Sequence, residues 1–183
     1  ERIFKNSYDN LRDATLHSTT FNALGEETIT AIEAINIMMD DNYSKKSKEI
    51  FNILNPGLMK IKNKYSNIVK DVRGSGSLNG IVMNTDFTDK YLLPIIKLIP
   101  SSFTKDDYAF KKIIVSSIIS ELYDTYNILT FYGSNIDLPL KISAPIVTSK
   151  ESINYFLNSL DKTLSSGLTK LVTNFMKKNI FWW

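Results

Sequence analysis

Ile68 to Met83 reads "IVKDVRGSGSLNGIVM", and how this stretch folds decides the architecture. Ile68–Val72 and Leu78–Met83 are apolar-rich runs on either side of a Gly/Ser cluster, the pattern of two strands joined by a tight turn. Gly74, Gly76 and Gly80 are spaced GxGxxxG, one residue off the dinucleotide-binding fingerprint. A second strand comes after them and not the start of a helix, so the phosphate-cradling geometry is missing. The stretch therefore predicts a β-hairpin.

Working outward, Phe110, Ile113, Ile114, Ile118, Leu122 and Tyr126 recur at three- and four-residue steps and predict a helix. Two further strands are expected at Ile128–Phe131 and Leu138–Ser143. Thr148 stands as the N-cap of the next helix, with Glu151 at capping-box spacing. That helix carries Ile153, Phe156, Leu157, Leu160 and Leu164 on one face. Gly167 ends it, and a last helix groups Leu168, Leu171, Val172, Phe175 and Met176. Upstream, Leu16–Phe21 is a candidate short strand. Ile29, Ile32, Ile35 and Met39 mark a helix that Asp40, Asp41 and Asn42 interrupt. A second helix runs from about Ser44 through Ile50, Phe51, Leu54, Leu58, Ile61 and Tyr65. Pro56 is expected to kink or divide it, because proline has no amide to bond one turn back. Segment 84–108 reads as an irregular insertion. Strands linked by short turns, with helices between, give an α+β fold: a small antiparallel sheet covered by helices, preceded by a long linking helix.

Composition narrows the chemistry. The 183 residues are 43% hydrophobic and 22% charged, which suits a folded chain with one core or two small ones. A net charge of +3 is too small and too dispersed for a nucleic-acid partner. Without cysteine there are no disulfides or thiolate metal sites, and a single histidine, His17, offers little to a zinc site or a catalytic triad. No apolar run approaches the roughly 20 residues of a membrane span, so no membrane partner is expected. The first residue, Glu1, suggests a piece of something longer. Ser18, Thr19 and Thr20 leave two readings open. They are strand and cap residues, or their hydroxyls and amides hold an anion beside a helix start.

Four stretches in order carry a resemblance. "LHSTTF" (16–21) followed by "AIEAINIM" (31–38) resembles the H-x-S-T-F segment and helix of class III (ω-type) pyridoxal-phosphate aminotransferases. The hairpin resembles their "VRGxGLMxGIE", and "NILTFYGSN" (127–135) is similar to the strand after the next helix. "LPLKISAPIVTSKESINYFLNSLDKTL" (138–164) is similar to "LRxxPPLxxTxEEIDxxLxxLxxAL". The resemblance implies the C-terminal portion of a fold type I enzyme, with residues 1–53 closing the large cofactor domain and 54–183 forming the small α+β domain. It implies a cytoplasmic homodimer using pyridoxal 5'-phosphate to move an amino group from a small-molecule donor to a carbonyl acceptor. The aminomutase and decarboxylase branches share these motifs. Thr20, with Thr19 and Phe21 beside it, falls where the family reaches the phosphate of the partner subunit's cofactor. Lys141 falls where many members carry an arginine for a substrate carboxylate; lysine replaces its bidentate fork with a point charge. Asn22 stands where the family has glycine, and Ala144 replaces the first proline of "PP". The Schiff-base lysine lies upstream in the family, so no catalytic residue is expected here and the chain alone should be inactive. The alternative is a non-catalytic interaction or dimerisation domain that kept the fold, a reading that segment 84–108 and the terminal "IFWW" favour.

Overall fold

The computed structural model describes residues 25–84, 107–133 and 137–179. The expected strand at 16–21, most of the 84–108 segment and the terminal "IFWW" lie outside the described residues. The chain divides into two compact units, Glu1–Tyr43 and Ser44–Trp183.

The first unit contributes helix α1, Gly25–Asp40. Glu26 and Glu27 sit in its first turn, where the positive end of the helix dipole favours them. The helix is interrupted where expected: Asn42 takes φ 49, a left-handed conformation that asparagine tolerates. None of α1's residues is buried. Ile29 is 71% exposed and Met39 75%. Glu26, Glu33 and Asp40 recur every seven residues along one stripe, and Ile29, Ile32, Ile35, Ile37, Met38 and Met39 cover much of the rest.

The second unit holds the other elements. These are α2 (Tyr43–Lys64), β1 (Val69–Ser75), β2 (Leu78–Met83), α3 (Asp107–Tyr126), β3 (Phe131–Tyr132), β4 (Leu140–Ser143), α4 (Lys150–Ser165) and α5 (Leu168–Asn179). The sheet order is β1-β2-β4-β3, and every pairing is antiparallel. This is the α+β fold that the sequence predicts.

The hairpin closes where Ser75 pairs with Leu78. Gly76 takes φ 58 at the first loop position, as two-residue hairpin loops require. Gly74 takes φ 142, and a Cβ there would stand 2.4 Å from the Leu78 carbonyl oxygen.

Helix α3 is the hub. Phe110, Ile114, Ile118 and Leu122 are fully buried, and the helix touches β2, β3, α4 and α5. Its burial is wider than the expected stripe, since Val115 and Ser117 are buried too. Ile50, Leu54, Leu58 and Ile61 from α2 join the same core, as do Ile81, Leu140 and Ile142 from the sheet.

Three expectations are corrected. Pro56 stays inside α2 without dividing it. Both Pro56 and Asn52, whose carbonyl loses its amide partner, are exposed, so water can take that carbonyl while Leu54 and Leu58 hold the buried side. The strand expected at Ile128–Phe131 shrinks to Phe131–Tyr132. Asn127 ends α3 at φ 55, and the Ile128 amide is spent on the Leu122 carbonyl, leaving nothing to donate to a ladder. On the next strand, φ 44 at Leu138 and the missing amide of Pro139 delay pairing until Leu140. Finally, the N-cap of α4 is Ser149 and not Thr148. The Thr148 amide bonds the Pro145 carbonyl in a turn, and Ser149 Oγ accepts from the Ser152 amide at 3.2 Å.

Candidate functional site

Side chains directly opposite one another in an antiparallel ladder share a face. The register therefore lines up Arg73, Gly80, Lys141 and Phe131 in one row across all four strands. Alternation along β4 buries Leu140 and Ile142 against the helices and leaves Lys141 and Ser143 exposed on the other face. Leu78, opposite Ser143, belongs to that exposed face too.

Within the row, the Lys141 ammonium sits 5.5 Å from the centroid of the Phe131 ring, a cation–π distance. No carboxylate of the described residues pairs with it. Phe131 is 49% exposed. Gly80 separates Lys141 from Arg73 and leaves bare backbone between them. A Cβ at Gly80 would already press on Pro139 at 3.3 Å.

Arg73 is differently placed. Its Nε donates to Asp71 at 2.9 Å and its Nη1 donates to Asp137 at 2.8 Å. These carboxylates hold the guanidinium above its ordinary value, Asp71 contributing most. Arg73 in turn holds the Asp71 carboxyl below the usual carboxylate range, helped by Lys62 at 3.1 Å and by the Val72 amide.

A second feature lies on the helix side, a cleft of about 320 Å³ lined by Leu54, Ile128, Thr130, Ile142, Ile153 and Phe156 among others. Thr130 is buried there, and its hydroxyl has no hydrogen-bond partner among the described residues. The lining is mainly apolar and carries no charged side chain. Among the described residues, no three acidic, histidine or cysteine side chains gather to hold a metal, and no helix is long and apolar enough to cross a membrane.

Of the sequence-predicted site residues, Lys141 is on the exposed sheet face. Thr19, Thr20 and Phe21 lie outside the described residues, as does His17. Sequence reasoning missed Phe131 and Arg73, because only the strand register reveals that they share a row with Lys141.

Known proteins bear on this geometry. No protein-family model matches the chain. An uncharacterised aminotransferase of Schizosaccharomyces pombe is 21% identical over 167 residues, 90% of this chain and 31% of that protein. Among solved structures, a transaminase from the marine bacterium Virgibacillus superposes with a TM-score of 0.59 at 17% identity, over 86% of this chain and 31% of that one. Adenosylmethionine-8-amino-7-oxononanoate aminotransferase from Methanocaldococcus jannaschii gives a TM-score of 0.59 at 16% identity, over 90% and 33%. The chain has the fold of an aminotransferase segment. It spans about a third of the length of these relatives, and it resembles the C-terminal portion of class III aminotransferases as its motifs imply.

Proposed function

We propose that this chain is the C-terminal part of a pyridoxal-phosphate-dependent class III aminotransferase, and that its exposed sheet face meets the substrate. The observation that carries the reading is Lys141, an ammonium without an acidic partner among the described residues, on a face that the core does not cover. The fold likeness supports the family.

The described residues fit a substrate-anion contact better than a cofactor cradle. The row offers an ammonium with no acidic partner among the described residues, an aromatic ring and a glycine. When bound in the longer protein, pyridoxal phosphate would supply the electron sink for amino-group transfer. Thr20, with Thr19 and Phe21, would contact the cofactor phosphate of the partner subunit in a homodimer. Lys141 would hold a substrate carboxylate and orient the small-molecule donor or carbonyl acceptor. The apolar circumference of α1 suits burial against the portion of the protein that this chain does not span.

The test uses the full-length protein. Borohydride reduction with pyridoxal phosphate should label one lysine upstream of Glu1; specific labelling within this chain would contradict the reading. Lys141→Met should raise KM for the carboxylate substrate about tenfold with kcat nearly unchanged, the signature of lost ground-state binding. Thr20→Ala should weaken cofactor retention on gel filtration.

A further inference from the structure

The cross-strand row also limits how much negative charge the face can receive. Arg73 pairs with Asp71 at 2.9 Å and Asp137 at 2.8 Å, and Lys62 pairs with Asp71 at 3.1 Å, two cations against two carboxylates. That cluster is already neutral. Within the cross-strand row, Lys141 brings a positive charge that no described carboxylate offsets. Strands lie roughly 4.8 Å apart, so Lys141 and Arg73, two strands away from each other, are separated by about 10 Å at the backbone. Between them Gly80 adds no side chain, and the Pro139 ring lies against it, 3.3 Å from where a Cβ would stand. On the flanks, Leu78 is 51% exposed and Phe131 49%. The row thus sets one ammonium among apolar surface, bordered on one side by a neutral ion cluster.

We propose that the substrate received on this face is a monocarboxylate with an apolar body, and that dicarboxylates are discriminated against. This rests on the reading that Lys141 meets the substrate. The single carboxylate takes the Lys141 ammonium, and the apolar body lies along Phe131 and Leu78. A second carboxylate reaching across Gly80 would find Arg73 already committed to Asp71 and Asp137 and would meet no free cation there among the described residues. Phe131 and Asp137 are accordingly specificity-determining residues.

The experiment is an acceptor series with the full-length enzyme, comparing 2-oxohexanoate with 2-oxoglutarate. We expect kcat/KM at least tenfold higher for 2-oxohexanoate. Phe131→Ala should lower that value severalfold and lower the value for 2-oxoglutarate by a smaller factor. Asp137→Asn should raise activity toward 2-oxoglutarate severalfold. Equal or better use of 2-oxoglutarate, with Lys141→Met still raising KM, would overturn the charge argument alone. An unchanged KM for both acids in Lys141→Met would remove the site reading and this inference with it.

Discussion

Asp71 gathers three donors, Arg73 Nε, Lys62 Nζ and the Val72 amide, and they lower its pKa from the ordinary 3.8. A carboxylate depressed in the folded state adds stability above its unfolded value. That contribution is lost as pH falls through the lowered value. Asp71 is 36% exposed, so solvent screening limits the contribution to under about 1 kcal/mol. Asp71→Asn should therefore destabilise the chain slightly at pH 7, with the gap from the unchanged protein closing as pH drops below about 3.8. Thermal melts at a series of pH values measure this, and a gap that widened on acidification would reverse the sign. At this scale the sequence was informative about identities and silent about neighbours. Lys141 was legible because its motif survives as "LPLKISAP". Phe131 across from it was not, because nine residues of chain lie between the two and only the ladder brings them together.

Among the elements, α2 shows packing overriding a local breaker. A proline inside a helix costs about 3 kcal/mol relative to alanine, partly repaid by its smaller unfolded-state entropy. Buried Leu54, Leu58 and Ile61 outweigh that cost. Pro56→Ala should therefore stabilise the chain by about 2 kcal/mol, read from the midpoint of a urea titration. A loss of stability would mean that Pro56 is needed for packing. The helices were legible from apolar spacing, and the hairpin from its glycines. The short strands were less so. β3 lost three expected residues because the helix before it ends through Asn127 and claims the Ile128 amide. Such competition for one donor leaves no mark in apolar periodicity.

Across the whole molecule, α3 joins the sheet to α4 and α5, so its buried residues belong to every layer of the second unit. Leu122→Ala should cost about 2–5 kcal/mol, the usual range for a buried leucine. Ile35→Ala on α1, at 58% exposure, should move the same urea transition by less than about 0.5 kcal/mol. A large effect at Ile35 would mean that α1 is covered within this chain. The sequence by itself determined the fold class and the helices, because apolar periodicity records which side of each element faces a core. With the resemblance, it also pointed to the aminotransferase fold. It held the hairpin too, since a positive φ at the first loop position calls for glycine. Only the tertiary structure decided that Arg73 is neutralised by Asp71 and Asp137 while Lys141 rests on Phe131 with no carboxylate partner among the described residues. Which charges cancel depends on distances between strands, and strand register is set by packing across the sheet, not by any one strand's own residues.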